Sequence, residues 1–310
     1  MQTALCKLSI KGMTATRRYE KREISSFFHT LFATFVIMNI TTVSIVLFSP
    51  TGTSRKVAMA VADGCRYESR IVDATYRTPE NLHFESNELV IVSVPVYGGK
   101  VAPIALQRLD AMRGNNTPVV PIVVYGNRAY EEAAEQLYEF VRSRGFVPVA
   151  VGAFVGEHSY STSQHPIATG RPDATDLADA RAWGKAIAEK LSCAKHPKRI
   201  DIATLKEPRN SIFSTIRFVL FVLKQRRNKS GVKPHVEVID HKCKRCGKCA
   251  KLCPTGAIEA GNCLHTDTTR CIKCCACVKG CPTKARKLDT PYAPILSQCF
   301  KKRKSPVTTL

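Results

Sequence analysis

Eight cysteines in two matching runs constrain this chain more than any other feature. The first run is Cys243-Lys-Arg-Cys246-Gly-Lys-Cys249-Ala-Lys-Leu-Cys253-Pro254, and the second, 28 residues on, is Cys271-Ile-Lys-Cys274-Cys-Ala-Cys277-Val-Lys-Gly-Cys281-Pro282. Both read C-x2-C-x2-C-x3-C-P, a spacing that holds [4Fe–4S] cubanes. Three cysteines two residues apart let a tight loop wrap three corners of one cube. The fourth opens the next helix and points away, so it ligates the other cluster. Cys243, Cys246, Cys249 and Cys281 are therefore assigned to one cluster, and Cys271, Cys274, Cys277 and Cys253 to a second.

Other uses of these cysteines fit less well. Zinc modules separate their C-x2-C pairs by a longer stretch. A disulfide framework belongs to a secretory context for which the chain gives no support. Cys263 and Cys275 fall outside the pattern and read as small buried thiols.

At 310 residues the chain is expected to hold about two domains, and its 44% hydrophobic content allows a substantial core. The net charge of +22 is unevenly placed: residues 38–192 carry 15 basic and 16 acidic side chains, 193–233 carry 11 and 2, and 234–290 carry 11 and 5. An oxidised cubane with four thiolates carries about −2, so two clusters offset much of the excess in the last of these segments. Nucleic-acid binding, the usual reading of so basic a chain, loses force. The remaining basic charge of the linker and tail suits an acidic redox partner or an anionic membrane surface equally, with membrane contact not the favoured reading.

A second site is legible near the front. Val43–Phe48 reads as a buried parallel strand, followed by the hydroxyl-rich turn Ser49-Pro-Thr51-Gly52-Thr53-Ser54 and a helical stretch from Arg55 to Ala62. Such a turn at a helix N-terminus makes a phosphate cradle, although a plain strand–helix turn with an N-cap serine has the same outline. Lysine and G-x4-G-K are missing, so this is no nucleotide-hydrolase loop. Further strands are expected over Glu88–Val94, Val119–Tyr125 and Phe146–Val151. Helices are expected over Ala129–Arg144, capped by Asn127 and stopped by Gly145, and over Asp173–Leu191. Strands alternating with helices imply a doubly wound parallel sheet with its ligand at the carboxyl ends of the strands.

On these motifs, residues 42–192 resemble a flavodoxin-type domain. Ser49, Thr51, Gly52, Thr53 and Ser54 match that family's FMN-phosphate loop. By the same resemblance Pro95, Val96, Tyr97, Gly98 and Gly99, with Tyr125, Gly126 and Asn127, match the loops that hold the isoalloxazine ring. Tyr97 and Tyr125 are its candidate stacking aromatics. Residues 42–290 together resemble the flavodoxin–ferredoxin fusion proteins of anaerobic bacteria and archaea. The resemblance implies a flavodoxin-like α/β sheet followed by a small α+β ferredoxin domain, with FMN, two [4Fe–4S] clusters and a cytoplasmic setting. It also implies electron transfer between them and on to a redox partner protein. No general acid, base or nucleophile is assigned, because the chemistry belongs to the cofactors. A flavin-dependent reductase of a quinone or nitro compound is the alternative, and would use Glu157, His158 or His165 beside the flavin. A nucleic-acid-binding iron–sulfur protein is a weaker one.

Residues 1–41 are expected to be an extension rather than an anchor. The uncharged run Phe27–Phe48 imitates a signal anchor, but its last six residues are needed as the first strand. Residues 193–233 form a basic linker whose apolar segment, Ile212–Leu223, is too short to span a membrane and is expected to pack against its own domains, with an interfacial helix on a membrane as the alternative. Residues 291–310, with Lys301-Lys-Arg-Lys304, are expected to be a solvated, disordered tail.

Overall fold

A computed structural model of the protein describes residues 39–80, 82–228 and 234–310. All but the last residues of the expected extension, with Phe27–Met38 of the uncharged run, lie outside the described residues.

Runs of valine and isoleucine build the centre, as strands covered on both faces require. Thr42–Leu47 (β1) is followed by the helix Thr53–Cys65 (α1) and the strand Glu68–Asp73 (β2). Then come Glu88–Tyr97 (β3), the short helix Pro103–Arg108 (α2), Thr117–Tyr125 (β4) and Ala133–Arg142 (α3). Val151–Val155 (β5) and Ala174–Ser192 (α4) complete the set. The five strands are parallel in the order β2-β1-β3-β4-β5. This is the doubly wound, flavodoxin-like order. Alternate strand residues serve two cores: Ile45, Leu47, Leu89 and Ile91 meet α1 and α4, whereas Val46, Val90, Val92 and Val94 meet α2 and α3.

Where element ends differ from the sequence expectation, local chemistry explains it. Helix α4 opens on a capping box, with Asp173 accepting from the Thr175 and Asp176 N–H groups and Asp176 answering back. The helix expected from Ala129 starts only at Ala133, because Asn127 and Glu131 hold left-handed backbone (φ 66° and 46°) and Asn127 does not cap it. The strand expected over Phe146–Val151 divides. Phe146–Pro148 pairs with the start of β4, and β5 begins at Val151 once Pro148, which has no N–H for the ladder, is passed. Strand β2 was not foreseen, since Glu-Ser-Arg-Ile-Val-Asp is a largely exposed edge without an apolar run.

The interdomain segment folds into the helix Ile212–Arg227 (α5). Beyond it the cysteine-rich part pairs His235–Val238 (β6) antiparallel with Arg286–Asp289 (β7), and carries the one-turn helices Lys248–Lys251 (α6) and Ala276–Lys279 (α7). Its backbone repeats with the motif: Arg245 and Lys273, Gly247 and Cys275, and Gly256 and Lys284 all have positive φ, in pairs 28 residues apart. Glycine takes the left-handed turn freely, while Cys275 takes it at a cost of about 1 kcal/mol.

The expected disordered tail is instead ordered. The helix Tyr292–Cys299 (α8) packs against α5, and Val307–Thr309 (β8) joins the main sheet antiparallel to β5. Asn127 donates its side-chain amide to the carbonyls of Phe300 (2.7 Å) and Lys302 (3.0 Å). Arg303 binds Asp173 (2.5 Å) and Asp176 (3.1 Å), Lys304 donates to the Arg128 carbonyl, and the Trp183 indole donates to Thr309 O. Among the described residues no helix is long and apolar enough to cross a membrane.

Candidate cofactor sites

The turn between β1 and α1 is built to receive an anion. Ser49 Oγ accepts the Arg55 N–H (3.0 Å), and Ser49 N–H donates to Thr75 Oγ (2.8 Å), so the turn is braced from both sides. Gly52 occupies the N-cap position at φ 82°, which a side chain would strain, and offers no capping group. No acidic residue lies in the first turn, leaving the positive end of the helix without its own counter-charge. Arg55 is committed to Asp73 at 3.0 Å. Ser54 Oγ is fully buried with no hydrogen-bond partner. An orphaned hydroxyl at a helix end without an acidic residue fits a phosphate oxygen, while the Ser49 bond to the Arg55 N–H is the cap that the plain turn would also have.

From this turn a cavity of about 320 Å³ runs over the carboxyl ends of the strands, a size within the range of small-molecule sites. Ser49, Thr51, Thr53 and Ser54 line one end, with Gly52 turning the chain between them. Pro95, Val96, Tyr97, Gly98 and Gly99 form one wall, and Tyr125 and Gly126 another. Pro95, Val96 and Tyr97 belong to the end of β3 rather than to a loop. The two aromatics differ. Tyr97 is a half-buried wall residue whose phenol is pushed well above its ordinary pKa, first by burial and then by the neighbouring Cys274 and Cys275 thiols. Tyr125 is 2% exposed and packed edge-on against Tyr130 at 5.4 Å, a core residue that also lines the cavity. The Asn127 side chain is not on the cavity wall but on the tail.

Of the polar loop residues, Glu157 and His158 reach the cavity and His165 does not. Both are already engaged. Lys279 binds Glu157 at 2.5 Å. His158 Nδ1 accepts the Tyr160 N–H (3.0 Å), and burial, helped by Lys279 and Arg128, lowers the imidazole pKa to about 4. The ring is therefore neutral, with its proton on Nε2.

The roof of the cavity was not foreseen. It comes from Phe218 of α5, Tyr292 and Leu296 of α8, and Ile272 and Lys273 of the second cysteine loop. Ile272 also packs against the core under β3 and β4. Apart from Lys273, only the hydrophobic character of these residues was visible in the sequence.

The cysteines fall into an inner and an outer group. Cys274 and Cys277 are buried, and their thiols are pushed up to about 12 and about 11, chiefly by burial. Cys253, Cys271, Cys274 and Cys277 line one small pocket, so the fourth cysteine of the first run lies with the triplet of the second. The outer group is more open, with Cys246 exposed and Cys243, Cys249 and Cys281 half-buried. Cys253 and Cys281 have equivalent settings: the Ala257 N–H donates to Cys253 Sγ (3.2 Å) and the Ala285 N–H to Cys281 Sγ (3.3 Å). Such donors stabilise thiolates, and at Cys281 they outweigh burial and lower the pKa. Arg286, 4% exposed, donates to Thr266 Oγ (2.8 Å) and the Cys263 carbonyl and acts on Cys249 and Cys277. It is a buried counter-charge for a thiolate-held anion, and one arginine among many gave no hint of it.

Among the described residues no three cysteine sulfurs lie within 4.8 Å of one another. Sulfurs sharing one zinc ion, with Zn–S near 2.3 Å, would sit roughly 3.8 Å apart. His235, Glu237 and Asp289 do converge within that limit, but Glu237 holds Lys287 at 2.7 Å.

Residues 236–259, which contain the first cysteine run, match the family of 4Fe-4S binding domains. No curated protein matches the chain. Among solved structures the chain is similar to a flavodoxin from the domain Archaea, with 17% identity and a TM-score of 0.35 over 49% of this chain and 99% of that one. It is also similar to two-electron reduced Megasphaera elsdenii flavodoxin (15%, 0.33, covering 47% and 98%). A third is an NADH:FMN oxidoreductase in its apo form (13%, 0.35, covering 51% and 95%). A flavodoxin-like strand order and a 4Fe–4S-binding region thus occur in one chain, in the order of the fusion it resembles.

Proposed function

We propose that this chain is an iron–sulfur flavoprotein that passes electrons between two [4Fe–4S] clusters and FMN, and exchanges them with a redox partner protein. The observation that carries the reading is a shared wall. Ile272 and Lys273, between two cysteines of the inner group, line the same cavity as Ser49–Ser54. Clusters exchange single electrons and flavin takes one or two, so such a pair converts between one- and two-electron carriers.

The chain's own residues supply the holding and the shielding. Cys253, Cys271, Cys274 and Cys277 hold the inner cluster, and Cys243, Cys246, Cys249 and Cys281 the outer. Ser49, Thr51, Gly52, Thr53 and Ser54 take the phosphate, and Tyr97 lies along the ring. Phe218, Tyr292 and Leu296 exclude water. In this reading residues 42–192 form the flavin domain and 234–290 the cluster domain, while 193–233 and 291–310 close the cavity. The exposed Cys246 is flanked in sequence by exposed Lys242, Lys244, Arg245 and Lys248, a basic stretch that suits an acidic partner. Reduction of a small substrate is the poorer reading, because Glu157 and His158 are tied to Lys279 and Tyr160. Thiolate-held clusters also favour a reducing, cytoplasmic setting.

Anaerobic purification followed by iron, sulfide and flavin analysis tests this. About eight irons and one FMN per chain are expected, and zinc without flavin would sink the reading. Cys253→Ser and Cys271→Ser, alone or together, should leave about four irons, whereas Cys253→Ser with Cys243→Ser should leave none.

A further inference from the structure

Helix α5 has two faces with opposite fates. The inner one holds Phe218, stacked edge-on against Phe300 at 5.4 Å, and Phe221, edge-on against Tyr292 at 5.6 Å. This fixes the helix on α8. The outer face is bare: Phe213 is 86% exposed, Ile212 73% and Leu220 61%, with Ile216, Val219 and Leu223 also exposed. The sequence expectation that this segment packs against its own domains therefore holds for one face only.

At about 100° per residue these six side chains fall in one arc about 120° wide. Arg217 and Lys224 border the arc on one side and Arg226 on the other, while Arg227 ends it. From Pro208 to Val236 the chain carries seven basic residues and no acidic one. A preformed helix with an apolar arc, basic borders and no acid is the pattern of a helix lying in a lipid interface, its arginine and lysine stems reaching up to anionic headgroups. At 16 residues, about 24 Å, it is too short to span.

We propose that α5 is a membrane-surface helix that seats this protein on an anionic lipid bilayer through Ile212, Phe213, Ile216, Val219, Leu220 and Leu223. The charge decides the occupant: headgroup phosphates complement the basic borders, and the arc itself offers no hydrogen-bonding group for a protein partner to pair. The inference rests on exposure and charge, and is independent of whether the cofactors are those proposed above.

The test is flotation of the full-length holoprotein with vesicles of phosphatidylcholine containing about one-third phosphatidylglycerol, compared with pure phosphatidylcholine. The wild type should float with the anionic vesicles, and much less with the neutral ones. Phe213→Ser with Leu220→Ser should weaken flotation by about tenfold or more. The inner face is untouched, so the iron content of this variant should equal that of the wild type and report its folding. Lys224→Gln with Arg226→Gln should keep residual binding but lose the preference for anionic lipid. Absence of wild-type binding would overturn the proposal, and so would equal binding by the Phe213/Leu220 variant, which would place the contact elsewhere. Sedimentation without lipid closes the remaining route: a wild-type dimer that the Phe213/Leu220 variant abolishes would show that a second copy covers the face.

Discussion

Ser54 shows how far a single residue can be read. Its place in Ser-x-Thr-Gly-Thr-Ser was legible because the motif is local, six consecutive residues whose roles follow from one turn. That its hydroxyl is buried without a partner was not legible, since it depends on the way β3 closes over α1. Glu157–Lys279 and Arg286–Cys263 were equally hidden, as each joins residues far apart in sequence. The orphaned hydroxyl gives a prediction with two opposite signs. A neutral donor to a phosphate oxygen contributes about 1.5–3 kcal/mol, so Ser54→Ala should weaken FMN binding by about 10- to 100-fold in a fluorescence titration. The flavin-free protein should unfold at the same temperature or slightly higher, because the substitution removes an unsatisfied buried group. Unchanged flavin affinity would mean that Ser54 faces no phosphate.

At the scale of elements, the long apolar strands and the helices between them were legible and the closing pieces were not. β1, β3 and β4 announce themselves as valine and isoleucine runs, while the capping box that starts α4 emerged only in the structure. The tail misled because four basic residues ordinarily face water, while the acids that bind Arg303 lie 130 and 127 residues away. Val307-Thr308-Thr309 carried a weak strand signal that its length concealed. What β8 does follows from its position: β5 would otherwise be the open edge of the sheet, and an unpaired edge invites intermolecular pairing. Deleting residues 305–310 removes the β8 ladder and the Trp183 bond to Thr309, together about 2 kcal/mol. Thermal unfolding should shift down by about 5 °C, and light scattering should show concentration-dependent association that the intact chain lacks. An unaltered melting temperature with no added scattering would reduce β8 to a surface decoration.

At the scale of the molecule, neither half completes the cavity alone. The sheet supplies the phosphate turn and two walls; α5, α8 and the loop Cys271–Cys277 supply the roof. Recognising the two halves from motifs was straightforward, since each has a compact signature. Their joint cavity was not, because its roof is built of ordinary apolar side chains with no spacing rule. The joint construction has a consequence for metal removal. The roofing loop turns through left-handed Lys273 and Cys275 and buries Cys274, Cys275 and Cys277, whose thiols are raised by burial. Bound iron ties such a loop together and holds its sulfurs as thiolates, so metal binding and local folding are one equilibrium. Stripping iron with a chelator should therefore free the Ile272–Lys273 edge of the cavity. FMN release, followed by recovery of flavin fluorescence, should accelerate by about tenfold or more. The outer group provides the control, because no residue of its loop 243–249 lines the cavity, whereas Ile272 and Lys273 of the inner loop do. Cys246→Ser should cost about four irons yet leave FMN release within about twofold of the wild type. Equal acceleration in that variant and in the fully stripped protein would locate the coupling in general loosening of the cluster domain. No acceleration in either would show that the sheet and the tail hold the flavin without the cysteine loop.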